Sequence, residues 1–229
     1  MDASESLFFL ILRKLHDAGI LQDIVLIGSW ALPIYRDHFG NDPRVPVLRT
    51  TDIDLLIPRP SRIHREVDIP AVLSDIGLEP AWSPTGDHCK YVHPEIEVEF
   101  LTPEFGRGDA RSIEIPKLRI KAQPLRYLGL AAANTTLLAF HDLDVRVPLP
   151  EAFLLLKILV IPKRLNRDKA AKDRQTAREL GDFMLADDAR TAALVALFDT
   201  LPGGWKKTVL GVTADGLLSI YKLLVDSDK

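Results

Sequence analysis

The chain has 229 residues, enough for one large domain or two small ones, and 47% of them are hydrophobic, as in ordinary globular proteins. Its formal net charge of −3 excludes a global positive field that would by itself demand a nucleic-acid partner. A single cysteine, Cys89, excludes a disulfide bond within the chain. The apolar run at residues 7–12 has acidic residues before it and basic residues after it, and it is too short for a signal peptide or a membrane span. We therefore expect a cytoplasmic protein without a membrane partner.

Hydrophobic periodicity divides the chain into a mixed part and a helical part. The mixed part predicts, in chain order, a helix over residues 4–18, a strand over 23–27, a helix from Trp30, a strand over 53–57, a helix over 68–76, and the strand pairs 89–92 with 96–101 and 136–140 with 145–147. After Pro148-Leu149-Pro150 only helical patterns follow, over residues 151–161, 167–185, 188–201 and about 214–225. The sequence therefore predicts an α+β domain over residues 1–148 and an all-α domain over residues 149–229.

Two carboxylates lie in or next to the predicted apolar strand at residues 53–57. Asp52 and Asp54 are two residues apart, so both side chains leave the same face of the strand. Neighbouring buried carboxylates lose hydration and repel each other, and a divalent cation is one of the few partners that offsets both effects. Mg²⁺ prefers carboxylate oxygens together with substrate phosphates. The alternative for an isolated Asp-x-Asp pattern is a solvated strand face.

Two further motifs flank this acidic pair. Before it, a strand runs into Gly28-Ser29 and then a helix, where backbone N–H groups and the helix dipole can hold phosphate. A plain tight turn has the same pattern. After it, residues 96–101 alternate apolar with acidic, so Glu97 and Glu99 share a face. A strand with a solvated acidic side alternates in the same way.

The order of these motifs resembles the polymerase-β-like nucleotidyltransferase superfamily. The matching residues are Gly28-Ser29, Asp52 with Asp54, and a third acid, Glu99 or Glu97. The resemblance implies a mixed β-sheet flanked by helices and followed by a helical bundle, with a Gly-Ser turn that holds nucleotide phosphates. It implies that the acids bind two Mg²⁺ or Mn²⁺ ions and that the third acid, for which we favour Glu99, helps to activate the attacking hydroxyl. We thus expect transfer of a nucleotide from an NTP to a hydroxyl, with pyrophosphate leaving.

Some features depart from the common pattern of that superfamily. The connection between Ser29 and Asp52 is long, and no arginine closely follows Ser29. In this the chain is similar to the branch that contains abortive-infection toxin nucleotidyltransferases and uncharacterised relatives. A zinc site at His88, Cys89 and His93 is not expected, because a fourth ligand is missing and the spacing fits no standard structural site.

The helical part carries a further match to that branch. Lys157 is the one charged residue in the apolar run 153–161, where it either needs a buried anion or reaches out to solvent. Asp173 falls on the apolar stripe of the next helix, where it either serves the nucleotide or forms an internal ion pair. The branch carries such a lysine and a Lys/Arg-Asp pair near the nucleotide, which implies that Lys157, Lys172 and Asp173 bind the NTP. Thr176 stands where the branch has a further Asp.

The sequence leaves the acceptor and the oligomeric state open. Basic residues flank the predicted site, either as a solvated surface or as a guide for the NTP or a polyanionic acceptor such as tRNA or another RNA; they are Arg36, Arg44, Arg49, Arg59, Arg62 and Arg65. A protein side chain or a small molecule is an alternative acceptor. A catalytically silent nucleotide- or RNA-binding module on the same fold, within a toxin–antitoxin or defence pair, is the alternative function. The third alternative is an unrelated α+β protein with accidental acidic strands.

Overall fold

The computed structural model describes residues 3–48, 50–106 and 111–227, so Arg49 lies outside the described residues. The chain divides into two units, Met1–His38 with Val47–Pro148 and Phe39–Pro46 with Leu149–Lys229. Segment Phe39–Pro46, which the sequence analysis placed in the first domain, therefore belongs with the helical unit.

The first unit is built on a mixed β-sheet. Its strands are β1 (Val25–Ile27), β2 (Asp52–Leu56), β3 (Glu79–Trp82), β4 (Cys89–His93), β5 (Ile96–Pro103), β6 (Ile113–Ile115) and β7 (Ile120–Leu125). The strand order is β1-β2-β5-β4-β3, with β7 pairing with the end of β5 and with β6. Strand β2 is parallel to β5, whereas β1 is antiparallel to β2 and β4 is antiparallel to β5. A separate antiparallel hairpin joins β8 (Thr135–Phe140) and β9 (Leu143–Pro148).

The helices of the first unit contact strands of the mixed sheet or of the separate hairpin. They are α1 (Ala3–Asp17), α2 (Ala31–His38), α3 (Ile69–Ser74) and α4 (Leu128–Ala133). Helix α1 buries Phe8, Ile11, Leu12 and Leu15, the spacing of one helical face. Asp68 caps the N-terminus of α3, and its side chain accepts a hydrogen bond of 3.1 Å from the Ala71 N–H.

Burial alternates along the two central parallel strands. Ile53 and Leu55 in β2, and Val98 and Phe100 in β5, are buried, while the acidic residues between them are only half-buried. The apolar side chains form the core on one face of the sheet, and the acidic side chains lie on the other face. The predicted α+β fold with a mixed sheet is thus confirmed, and its apolar core holds the acidic face in place.

The second unit consists of helices packed around one apolar helix. They are α5 (Pro150–Val160), α6 (Arg167–Leu185), α7 (Asp188–Asp199), α8 (Gly203–Ala214) and α9 (Leu218–Ser227). Helix α5 contacts α6, α7 and α8 and buries nearly all of its side chains, as expected for a helix that is apolar all round. Within the described residues, every helix is too short or too polar to cross a lipid bilayer.

Aromatic and cationic side chains attach segment Phe39–Pro46 to the helical unit. The Arg190 guanidinium of α7 lies 4.4 Å from the Phe39 ring and 4.7 Å from the Phe183 ring of α6. The Phe39 and Phe183 ring centroids are 5.1 Å apart. Hydrogen bonds from Arg44 lower the pKa of Asp42 to about 2, so Asp42 is charged and forms an ion pair with Arg44. The cation–π contacts of Arg190 with Phe39 and Phe183 each contribute on the order of 1 kcal/mol of stabilisation.

We expect Tyr35→Phe to lower the free energy of unfolding by about 1–3 kcal/mol. The Tyr35 side chain is 0% exposed and its hydroxyl donates a hydrogen bond of 2.7 Å to the Pro148 carbonyl, so Phe leaves that buried oxygen without this donor. Urea unfolding followed by circular dichroism measures the change. Tyr221→Phe, at a half-buried position, is the matched control and should cost little. Equal effects of the two changes would contradict the assigned role of this hydrogen bond.

Candidate functional site

The pairing of β1 with β2 brings the Gly-Ser turn against the acidic pair. Ile27, the last residue of β1, is the register partner of Asp54. The next residue, Gly28, has φ +69°, and a Cβ atom there would overlap the Asp54 carboxylate. Glycine supplies both the left-handed backbone and the space for that carboxylate. The Asp54 side chain therefore lies directly against the backbone of Gly28.

The Gly-Ser turn leads into the first turn of α2. The Ala31 N–H donates to the Gly28 carbonyl at 3.3 Å, and the Leu32 N–H donates to the Ser29 carbonyl at 3.1 Å. Trp30 is buried and stacks on Phe8 of α1, with ring centroids 4.1 Å apart. The amide groups at a helix N-terminus carry partial positive charge. The turn thus combines a half-buried serine hydroxyl with a helix start that favours an anion.

The register of β2 with β5 places all four predicted acids on one face. Asp52 pairs with Glu97, and Asp54 pairs with Glu99, on neighbouring parallel strands. Their burial is intermediate, in contrast to the buried residues between them. Because side chains alternate between faces at every residue, the four carboxylates point to the same side of the sheet. The structure therefore brings together the acids that the sequence placed on separate strands.

Two side chains that the sequence analysis did not assign to the site contact these acids. Lys90 in β4 is the register partner of Glu99, and its Nζ lies 3.3 Å from Glu97 Oε2 and 3.6 Å from Glu99 Oε2. His88 Nε2 lies 2.9 Å from Glu99 Oε1. Burial lowers the pKa of Lys90, but the negative charges of Glu99, Glu97 and Asp52 outweigh burial and raise it above its usual value. The ammonium therefore stays charged among the carboxylates.

The donor set suits a hard divalent cation. Carboxylate oxygens are the ligands that Mg²⁺ and Mn²⁺ prefer. Over residues 3–48, 50–106 and 111–227, however, no three or more His, Cys, Asp or Glu side chains are arranged to hold one ion. Glu97 and Glu99 instead contact Lys90 and His88. The metal-ligand roles of Asp52, Asp54, Glu97 and Glu99 remain predictions.

In the helical unit, Lys157 and Asp173 form an internal ion pair. Lys157, 7% exposed, donates from Nζ to Asp173 Oδ1 at 2.7 Å. Arg164 Nε donates to the other Asp173 oxygen, also at 2.7 Å, and Asp173 is 4% exposed. Lys157 therefore does not reach out to solvent, because a buried carboxylate satisfies it. Lys172 is exposed, and the NTP-binding roles of Lys157, Lys172 and Asp173 remain predictions.

The flanking basic residues are distributed over both units. Arg59, Arg62 and Arg65 of the first unit are exposed, and the Arg59 guanidinium lies 5.0 Å from the Phe105 ring. Arg44 belongs to the helical unit, where it pairs with Asp42. The first unit thus presents these three arginines to solvent.

Comparison with known proteins identifies the family of the chain. A family model described as nucleotidyltransferase matches residues 8–196. An antigenic nucleotidyltransferase-like protein from Paracoccidioides brasiliensis is 14% identical and similar in structure, with a TM-score of 0.50 over 96% of this chain and 91% of that one. The antibiotic-resistance factor ANT(2'')-Ia is also 14% identical, with a TM-score of 0.44 over 85% of this chain and 96% of that one. No curated protein sequence matches the chain significantly. At such identity the Paracoccidioides structure shows a shared fold alone.

Gly28→Ala should displace the Asp54 carboxylate and strain the backbone at once, because the added Cβ overlaps that carboxylate. Gly40→Ala is the matched control, since Gly40 also has φ +69° but nothing lies within 4 Å of its added Cβ. The control should cost only the backbone strain, about 1–2 kcal/mol. Thermal unfolding of both variants measures the difference. If Gly28→Ala cost no more than Gly40→Ala, the close contact with Asp54 would be refuted.

Lys157→Met should destabilise the protein by about 3 kcal/mol, because it leaves the buried Asp173 carboxylate with Arg164 as its remaining cationic contact. Adding Asp173→Leu should recover much of this loss, since the buried carboxylate that has lost its lysine partner is then removed. Lys172→Met, at an exposed lysine of α6, is the control and should change little. A double-mutant cycle from urea unfolding measures the coupling, and additive effects would exclude a stabilising pair.

Proposed function

The chain belongs to the nucleotidyltransferase family, and we propose that it transfers a nucleotide from an NTP to a hydroxyl acceptor at the acidic face of β2 and β5. The observation that carries this proposal is the contact between Gly28 and the Asp54 carboxylate, which joins an anion-binding turn to the acids. The register of Asp52 with Glu97 and of Asp54 with Glu99 adds the rest of the acidic face.

The proposed reaction forms one phosphorus–oxygen bond and breaks another. The acceptor hydroxyl attacks the α-phosphorus of the NTP, its proton passes to a base, and pyrophosphate leaves with the bonding electrons. We assign the proton-accepting role to Glu99, which is 17% exposed and carries two carboxylate oxygens at the sheet face. Two Mg²⁺ or Mn²⁺ ions bound by Asp52, Asp54 and the third acid, Glu99 or Glu97, would neutralise the phosphate charge.

Other residues of the chain bind and orient the substrate in this proposal. The Ser29 hydroxyl and the backbone N–H groups of the Gly28-Ser29 turn donate hydrogen bonds to the NTP phosphates, because the Ala31 and Leu32 N–H groups that open α2 already donate to the Gly28 and Ser29 carbonyls. Lys157, Lys172 and Asp173 are candidates for further NTP contacts. Because Lys157 already pairs with Asp173, a phosphate would have to replace that carboxylate as the partner of the ammonium.

The acceptor has to be found by experiment. The exposed Arg59, Arg62 and Arg65 favour a polyanion such as tRNA or another RNA, and a protein side chain or a small molecule are the other classes. Incubating the protein with α-labelled NTPs, Mg²⁺ and separated RNA, protein and small-molecule fractions of a cell extract identifies the class by the fraction that becomes labelled. Labelling of none of the fractions would favour the catalytically silent nucleotide-binding module.

Asp54→Asn should lower nucleotide transfer by on the order of a hundredfold or more, since it removes a charge whose contribution through a metal is several kcal/mol. Label incorporation and pyrophosphate release measure the rate, and circular dichroism checks the fold. Asp182→Asn makes the same chemical change at an exposed position of α6 and should leave the rate unchanged. Retained transfer by Asp54→Asn would show that the site is assigned to the wrong residues, and unfolding would show a structural role.

A further inference from the structure

The acidic face contains a cation that belongs to the chain itself. Lys90 extends from β4, its Nζ lies within 3.6 Å of both Glu97 and Glu99, and its side chain is 35% exposed. The backbone register sets this contact, because Lys90 and Glu99 are directly paired. The charge of Asp52 acts on the same ammonium. Lys90 thus lies within contact distance of Glu97 and Glu99 of β5 and feels the charge of Asp52 of β2.

The carboxylate of Glu99 faces protein donors on both oxygens. Oε1 lies 2.9 Å from His88 Nε2, and Oε2 lies 3.6 Å from Lys90 Nζ. An oxygen directed at an N–H donor shares its lone pairs, and a fixed positive charge nearby repels a second cation. A divalent ion that uses Glu99 or Glu97 must therefore replace contacts that the chain makes for itself.

We propose that Lys90 is a built-in counter-ion that competes with the divalent metal for Glu97 and Glu99, so that metal loading requires the ammonium to leave these carboxylates. This inference rests on the proposed function, because it concerns the same acids. A lysine suits the role, since its flexible four-carbon stem lets the charge move while the backbone stays in place. In the metal-free protein, Lys90 thereby offsets the repulsion among the carboxylates. It also lowers the affinity of the site for metal.

The test uses Mn²⁺ alone, titrated into the full chain and followed by electron paramagnetic resonance of the unbound ion. Lys90→Met and Lys90→Gln should bind Mn²⁺ about tenfold or more tightly than the wild type, because a charge this close changes ion affinity by one or more orders of magnitude. Lys90→Arg keeps the positive charge and should stay near wild type. Lys14→Met removes a different lysine–carboxylate ion pair, with Asp75 at 3.6 Å, and should also stay near wild type.

Stability gives a second readout that does not depend on turnover. Without metal, Lys90→Met should unfold at a lower temperature than the wild type because the acids repel, and Mn²⁺ should raise its midpoint more than that of the wild type. Affinity unchanged or weakened in Lys90→Met and Lys90→Gln would overturn the proposal. If Asp54→Asn still weakened Mn²⁺ binding in that case, the proposed function would stand. Mn²⁺ binding that is absent, or insensitive to Asp54→Asn, would contradict the proposed function as well.

Discussion

The register between β2 and β5 is the constraint on which the site depends. Ile53 and Val98 are paired across these strands and fully buried, and the acids on either side of them are paired in the same way. A shift by one residue would move the carboxylates into the core and the apolar side chains onto the polar face. The free energy of core burial therefore maintains an arrangement of like charges that repel one another.

At two places in the described residues, cations of the chain offset carboxylates that are half-buried or buried. In the first unit, Lys90 contacts Glu97 and Glu99. In the helical unit, Lys157 and Arg164 each contact one oxygen of Asp173, and the side chains of Lys157 and Asp173 are almost completely buried. Removing one partner of such a buried pair lowers the free energy of unfolding by more than the intact pair contributes to it. The reason is that the remaining charge stays buried, where water cannot hydrate it. The half-buried carboxylates of Glu97 and Glu99 can exchange their cation for another, whereas the buried Asp173 can do so only for an equally well-placed charge.

The local periodicity of hydrophobic residues allowed most helices and strands to be predicted. It failed for elements that lack such a periodicity. The predicted helix over residues 167–185 matches α6, because its apolar stripe and the cap at Asn166 are both local. Strand β3 was missed, because it contains Pro80 and all of its side chains are exposed, so only its pairing with β4 marks it as a strand. Helix α8 was missed since it begins with Gly203-Gly204, residues that disfavour a helix.

The candidate site follows the same division between local and long-range information. The spacing of Asp52 and Asp54 lies within one strand, so their common face could be predicted from the sequence. Lys90 lies on a different strand, and its partner is set by the hairpin turn, which pairs His93 with Ile96 and therefore Lys90 with Glu99. That register could have been counted back from the turn, because every residue before it has one antiparallel partner after it. The placement of segment Phe39–Pro46 could not have been predicted from the sequence. Its contact with Arg190 joins residues about 150 positions apart, and no local pattern connects them.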